Sequence, residues 1–236
     1  MAVKDPSITA KGGALEQAPS ATRFTGNLLA MGGVLFFIAG ALHPHSVGGS
    51  LLPSLVSMLQ SPLWTAAHWV SYVSVVLIVL ALWLLMDDAW FSGSVAARAG
   101  VRLTIIGGLF MMVEFAVELA TRGVVDALAG GAAPGMFHLF ATMHAVGWPT
   151  LGAGFIVLIL GVPRAAPVVV RGLGIVGALA MGLGGLLVAG FFLTWFGWLF
   201  IGGDLLAIWM VWAGLQTARG AALRGIPTSD GIPANR

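Results

Sequence analysis

The chain has 236 residues, of which 58% are hydrophobic and only 8% are charged, and its mean hydropathy is +0.98. Since a soluble domain carries roughly a quarter charged residues, this composition is that of an integral membrane protein. The pI near 9.7 comes from a small surplus of Lys and Arg, which in a membrane protein reports loop orientation and does not predict nucleic-acid binding. Cysteine is absent, which excludes disulfides, thiolate metal sites and iron–sulfur clusters, so any metal must use nitrogen and oxygen ligands.

Six stretches are long and apolar enough to cross about 30 Å of hydrocarbon as helices. In chain order they cover residues 24–42, 63–86, 103–121, 137–160, 173–193 and 198–216. The predicted fold is all-α, a polytopic membrane bundle of six transmembrane helices that occupies residues 23–219. The two ends, residues 1–22 and 220–236, are rich in Ala, Gly, Ser and Pro and lack apolar periodicity, which predicts mobile cytoplasmic tails.

The basic residues predict the orientation of the bundle. Of the 11 Lys and Arg residues, all except Arg122 fall on one side of a six-span zigzag. The positive-inside rule then places both termini in the cytoplasm of a multi-pass protein of the cell membrane. In the competing interpretation, residues 24–41 are a signal peptide whose last three residues resemble a cleavage site. That peptide would need an unusually long amino-terminal region with two acidic residues.

Three shorter patterns add detail. Residues 50–60 are apolar and uncharged but too short to span, which predicts a short helix or a re-entrant segment at the outer face. In the fifth span, Gly174, Ala178 and Gly182 recur every four residues and would let a neighbouring helix of the bundle approach closely. Six tryptophans near span ends are predicted to lie at the membrane interface. They are Trp64, Trp69, Trp83, Trp90, Trp195 and Trp198.

All five histidines and three acidic residues fall in the predicted extracytoplasmic part of the spans or beside it. They are His43, His45, His68, Glu114, Glu118, His138, His144 and Asp204. The cytoplasmic halves contain no comparable set. A charged group within hydrocarbon costs about 3 kcal/mol on insertion scales, so such groups usually face the bundle interior and mark a functional site.

A mixed set of imidazoles and carboxylates suits Zn, Fe, Mn or Cu. We predict that His43, His68, Glu114 and His144 are metal ligands and that Glu114 is also a candidate catalytic base. Helical geometry places His68, Glu114 and His144 at similar depths, so we expect them to converge. Four neighbours are expected to hydrogen-bond to the ligands. These neighbours are Tyr72, Glu118, His138 and Asp204.

The first span ends in the sequence His43, Pro44, His45. Proline ends a helix and disfavours helical geometry at the preceding residue. The chain is therefore expected to turn at Pro44, so that His43 swings inward while His45 leaves on the exterior loop.

The leading functional prediction is a His/Glu metal site in the extracytoplasmic half of the bundle that acts on a lipid or a periplasmic substrate. One alternative is a single-haem b-type cytochrome with His68 and His144 as axial ligands. A small-solute transporter ranks third, because the cytoplasmic halves lack the polar path that transport requires. Purely structural roles also exist: Glu118 and Arg122 have the spacing of a helical ion pair, and Asp204 that of a helix cap.

The pattern of these residues resembles that of small, uncharacterised multi-pass membrane proteins of bacteria and archaea. The resemblance covers roughly residues 24–150 and consists of His43-Pro44 at the end of the first helix and Trp64 with His68 at the start of the second. Glu114 and His144 match the acidic residue and the histidine of later helices. The resemblance implies no activity.

Overall fold

The computed structural model describes residues 10–44, 49–162 and 166–224, and within these ranges it contains helices and turns but no strand. The helices in chain order are α1 (Ala10–Leu42), α2 (Leu51–Leu59), α3 (Trp64–Leu84), α4 (Ala89–Ser92), α5 (Val95–Arg122), α6 (Val125–Ala129), α7 (Pro134–Gly161), α8 (Val168–Gly185) and α9 (Gly202–Arg224). Six helical segments are long and apolar enough to cross a membrane, which confirms the predicted all-α, six-span fold.

Each predicted span overlaps one observed segment. The observed segments are Ala21–Leu42, Trp64–Leu84, Val95–Arg122, Pro134–Gly161, Val168–Gly190 and Thr194–Gly220. The ends differ from the prediction, because α1 already begins at Ala10 and α9 continues to Arg224. Part of each predicted tail is therefore helical. Residues 1–9 and 225–236, and the predicted exterior His45, lie outside the described residues.

The six spanning helices form a closed ring in chain order. Helix α1 packs against α3, α3 against α5, α5 against α7, α7 against α8 and α8 against α9, and α9 returns to pack against α1. Because consecutive spans run in opposite directions, the carboxyl ends of α1, α5 and α8 meet the amino ends of α3, α7 and α9. We call this the His/Glu end, since His43, His68, Glu118 and His144 lie toward it.

Glycines let the ring close tightly. A Cβ atom added to Gly152 of α7 would lie 2.5 Å from the carbonyl oxygen of Ala178 in α8, and one added to Gly177 would lie 2.5 Å from that of Gly202. In the predicted small-residue stripe, Gly174 packs against the Trp209 side chain and Gly182 against the Pro149 backbone. These contacts confirm that the stripe serves packing within the bundle.

The predicted short helix is present as α2, and it covers part of the His/Glu end. Leu51, Leu55 and Leu59 are buried on one of its faces and pack in a cluster with Trp64 and Phe140. Trp64 is only 1% exposed, so the prediction that it lies at the membrane interface is wrong for this residue. The reason is that α2 covers it. Four other tryptophans of that set are exposed, namely Trp69, Trp83, Trp195 and Trp198.

The helical path is irregular between α8 and α9. A π turn, Leu186–Gly190, continues α8, and a 3₁₀ segment, Thr194–Ile201, leads into α9. Between them Phe192 has a φ of 56°, a conformation that bulky residues rarely adopt. The Thr194 hydroxyl donates a hydrogen bond to the carbonyl of Gly49, which ties this linker to the segment that precedes α2.

Candidate metal centre

Three helices each direct a pair of side chains, four residues apart, toward the interior at the His/Glu end. Residues at this spacing lie on the same face of a helix, one turn apart. The pairs are Trp64 and His68 on α3, Glu114 and Glu118 on α5, and His144 and Trp148 on α7. The two carboxylates of α5 are therefore flanked by an imidazole and an indole from each neighbouring helix.

The deeper contact joins α5 to α7. Nδ1 of His144 lies 2.5 Å from Oε1 of Glu114, and the same oxygen accepts a hydrogen bond of 3.0 Å from Nε1 of Trp148. Glu114 is fully buried, and Gly147 leaves room for it, since a Cβ there would lie 3.3 Å from its Oε2. The ring of Phe200 packs edge-on against His144, with ring centroids 5.3 Å apart.

The second contact, one helical turn closer to the His/Glu end, joins α3 to α5. Nε2 of His68 lies 3.0 Å from Oε2 of Glu118, and both side chains are buried. Nδ1 of His68 donates a hydrogen bond of 2.7 Å to the carbonyl of Trp64, and the Trp64 ring stacks on the imidazole at 3.8 Å between centroids. These contacts hold the orientation of the His68 ring.

Both imidazole–carboxylate contacts are within the distance of an ion pair. Two other buried atoms of the cluster, Nε2 of His144 and Oε2 of Glu114, have no hydrogen-bond partner and take no part in these ion pairs. A buried polar group without a partner costs about 1 to 3 kcal/mol, so two such atoms in one cluster call for an explanation. A cation bound between these atoms would be such an explanation, because their lone pairs would converge on it.

Glu114, Glu118 and His144 form a group that could hold a metal ion. One ligand atom from each lies within 4.8 Å of the other two, and all three residues are buried. Ligands at about 2.0 to 2.2 Å from a common ion have mutual separations of about 3 to 4 Å, so small side-chain adjustments suffice. The residue types fit a first-row transition metal with nitrogen and oxygen ligands.

This grouping differs from the sequence-based assignment at three residues, since it lacks His43 and His68 and includes Glu118. His68, Glu114 and His144 are all buried in the bundle, as expected. His68, however, is not part of the three-residue group, whereas Glu118, which was predicted as a neighbour, belongs to it. Each carboxylate contacts one imidazole: Glu118 that of His68, and Glu114 that of His144. His43, half-buried just after α1, has its ring 5.0 Å from that of His68.

The other three predicted neighbours are His138, Tyr72 and Asp204. His138 is exposed near the start of α7, with its ring beside Phe137. Tyr72 faces an apolar groove on the outside of the bundle and packs edge-on against Trp69. The Asp204 carboxylate packs against Gly40, in the interface between α1 and α9. The predicted role of these three side chains beside the ligands stays a prediction.

Glu118 and Arg122, which the sequence offered as a helical ion pair, have other partners in the structure. Glu118 contacts His68 of α3, while Nη1 of Arg122 donates a hydrogen bond of 2.9 Å to the carbonyl of Ser61. Both side chains thus make contacts outside their own helix.

Sequence reasoning missed the contributions of Trp64 and Trp148. Each lies four residues from a buried histidine, and this spacing is the signal that could have identified them. Phe200 was also missed. Its contact with His144 depends on the irregular linker between α8 and α9, for which the sequence has no simple pattern.

Comparisons of the chain with protein families, with curated proteins and with solved structures found no match. The resemblance to small multi-pass membrane proteins stays a prediction.

Proposed function

We propose that this protein is a membrane metalloprotein that binds a first-row transition-metal dication through Glu114, Glu118 and His144. The observation that carries this proposal is the set of buried ligand atoms that lie within 4.8 Å of one another. Oε2 of Glu114 and Nε2 of His144 are buried and have no hydrogen-bond or ion-pair partner. Buried charges of this kind are retained in proteins when they are paired or coordinate metals.

The surroundings of Glu114 support a role as ligand. Trp148 donates to its Oε1, which fixes the carboxylate plane and leaves Oε2 for an ion. A hydrogen bond from a neighbouring group to a ligating carboxylate is typical of metal sites. A bound dication would supply Lewis-acid chemistry toward a carbonyl or phosphoryl oxygen. Zn, Mn and Fe are the candidates that best suit two carboxylates and one imidazole.

We propose further that the substrate is a membrane lipid. An apolar groove of about 530 Å³ runs along α5 on the outside of the bundle, lined by Tyr72 of α3, by Met112, Val113 and Val117 of α5, and by Met136 of α7. Val117 directly precedes Glu118, so the groove and the ligands occupy neighbouring faces of the same helical turn. An acyl chain in this groove would bring its polar headgroup close to the cluster.

Metal analysis of the purified protein tests the proposal. The full chain, without a polyhistidine tag, is stripped with chelator in detergent and titrated with Co²⁺, whose absorption reports binding. We expect stoichiometric binding to the unmodified chain and loss of at least one ion in Glu114→Gln and His144→Ala. His138→Ala, which changes an exposed histidine, should bind like the unmodified chain.

Circular dichroism and gel filtration establish that each variant is folded. No binding to the unmodified chain, or equal binding to all folded variants, would overturn the proposal. An absorption spectrum is recorded before the chelator is added. A Soret band there would instead support the haem alternative, and its loss in His68→Ala and in His144→Ala would identify these histidines as the axial ligands.

A further inference from the structure

Arg122 is the last residue of α5 and, among the described residues, the one Lys or Arg at the His/Glu end. Its Nη1 donates a hydrogen bond of 2.9 Å to the carbonyl of Ser61, so the half-buried side chain turns toward the start of α3. An arginine that only extends from a helix end into the headgroup region needs no such contact. The bundle therefore holds this guanidinium in place.

No carboxylate of the described residues neutralises this guanidinium. Glu118 and Asp126 each lie four residues from Arg122, which is the spacing of helical ion pairs. The Glu118 carboxylate pairs instead with His68, and neither acid lies within ion-pair distance of Arg122. Ser61 accepts from one nitrogen of the guanidinium, whose other N–H groups make no hydrogen bond to the described residues. The charge and most of the donors of Arg122 are thus available to an anion.

A second donor without an acceptor lies at the same turn of α3. Nε1 of Trp64 is buried and has no hydrogen-bond partner, although the indole N–H of a buried tryptophan usually finds one. The carbonyl of Ser61 accepts from the backbone N–H of Trp64, at 3.2 Å, as well as from Arg122. This shared carbonyl places the guanidinium at the first turn of α3. An anion there could accept from both side chains.

This position adjoins the candidate metal centre. Trp64 lies one turn before His68 on α3, and Arg122 lies one turn after Glu118 on α5. Because the two helices run in opposite directions and His68 contacts Glu118, both donors lie beyond that contact, toward the end of the bundle. The apolar groove is lined by α5 as far as Ala120, two residues before Arg122. A headgroup at this end of the groove would be at the depth of the guanidinium.

We infer that Arg122 and the indole N–H of Trp64 bind the headgroup of the lipid substrate, and that this headgroup is an anionic phosphate ester. The inference rests on the proposed function, because it presumes a lipid substrate, and it narrows the substrate class to acidic phospholipids. The planar fork of an arginine matches two phosphate oxygens, and Trp64 supplies a further donor. A dication and an arginine that act on one phosphoryl group together stabilise its negative charge.

Lipid binding to the purified full chain in detergent tests the inference. The probes are a short-chain phosphatidylglycerol and the uncharged diacylglycerol with the same acyl chains, and calorimetric titration measures the affinity of each. We expect Arg122→Gln to bind phosphatidylglycerol about 10-fold to 100-fold more weakly and Trp64→Phe about 3-fold to 10-fold more weakly. Binding of diacylglycerol should be the same in all these chains.

Arg98→Gln is the matched control. Nη1 of Arg98 also donates to a backbone carbonyl, that of Ser92, but at the opposite end of the bundle. This variant should bind phosphatidylglycerol like the unmodified chain. An equal loss in Arg98→Gln and Arg122→Gln would reveal a general effect of charge and overturn the inference, as would unchanged affinity in Arg122→Gln.

Inorganic phosphate is titrated separately to distinguish a soluble ligand from a lipid. Weaker binding of free phosphate by Arg122→Gln, together with unchanged binding of phosphatidylglycerol, would assign the two donors to a soluble oxyanion and overturn the lipid assignment. Loss of phosphatidylglycerol binding supports the inference whether or not free phosphate binds. Circular dichroism establishes that each variant is folded. Where Arg122→Gln does not fold, Trp64→Phe decides, since Phe retains a ring that can stack on His68.

Titration with Co²⁺ separates this inference from the proposed function. Arg122→Gln should bind Co²⁺ like the unmodified chain, because Arg122 is not a ligand. Co²⁺ binding without any effect of Arg122 on lipid binding would overturn the headgroup site and leave the metal centre. Lipid binding that depends on Arg122 in a chain that binds no Co²⁺ would overturn the metal centre and leave the headgroup site.

Discussion

Trp148 donates a hydrogen bond from its indole nitrogen to Oε1 of Glu114, across the interface between α5 and α7, at 3.0 Å. The indole also fills the space that Gly185 of α8 leaves open, and its ring packs edge-on against Phe115. One aromatic side chain thus orients the most buried carboxylate of the candidate centre. The indole therefore has two roles, a hydrogen bond to Glu114 and packing between helices.

Replacement of Trp148 by Phe separates these two roles, because Phe retains an aromatic ring but has no N–H donor. We expect the affinity for Co²⁺ to fall by about 10-fold to 100-fold, as is typical when a hydrogen bond to a ligating group is lost. Titration in detergent measures the change. Trp195→Phe, which alters a side chain that is 76% exposed, serves as the matched control and should bind like the unmodified chain. Equal affinities of the two variants would show that the indole N–H does not act on the site.

Gly185→Ala should destabilise the bundle. The added Cβ would overlap the Cβ of Trp148, and overpacking of this kind costs about 1 to 3 kcal/mol. Gly172→Ala on the same helix is the control, since a Cβ there would meet nothing within 4 Å. Gly172→Ala should be at least as stable as the unmodified chain, because helices intrinsically favour Ala over Gly. Thermal unfolding in detergent compares the two, and a larger loss for Gly172→Ala would contradict the packing at Gly185.

Ser74→Ala should loosen the contact between α3 and α1. The Ser74 hydroxyl is fully buried and donates to the carbonyl of Gly32 in the neighbouring helix at 2.8 Å. Interhelical hydrogen bonds in membrane bundles contribute about 0.6 kcal/mol on average. Ser71→Ala is the comparison, because the Ser71 hydroxyl donates to Ala67 of its own helix. The free energy of unfolding should fall more for Ser74→Ala, and the reverse order would count against the interhelical bond.

The orientation in the membrane is testable with reporter fusions. Arg23, Arg98, Arg102, Arg171 and Arg219 all lie toward the end of the bundle opposite the His/Glu end. The positive-inside rule predicts that this end faces the cytoplasm. A fluorescent protein fused after residue 236 should therefore mature, whereas alkaline phosphatase fused there should remain inactive. An active phosphatase would place the candidate centre on the cytoplasmic side.

The sequence predicted the spans well because their signal is local. A helix must satisfy its own backbone hydrogen bonds in hydrocarbon, so an apolar stretch of sufficient length already specifies the element. The burial of His68, Glu114 and His144 was predictable for a related reason, since exposure of such groups to lipid is costly.

The pairing within the site was not predictable in the same way. It depends on the relative depth of α3, α5 and α7, which is set by close contacts such as that of Gly154 with Thr104. A shift of one helical turn would exchange the partners of Glu114 and Glu118. The burial of Trp64 likewise depends on the placement of α2, which a single short apolar segment does not reveal.

The closed ring of helices has a consequence for biosynthesis. Helix α1 enters the membrane first, but its most extensive partner is α9, which the ribosome completes last. Gly26 of α1 and Gly214 of α9 approach each other so closely that neither can have a side chain. Until α9 arrives, this glycine-lined surface of α1 faces lipid or a chaperone. We therefore expect chains truncated before residue 202 to be recognised by membrane quality control, although they contain every proposed metal ligand.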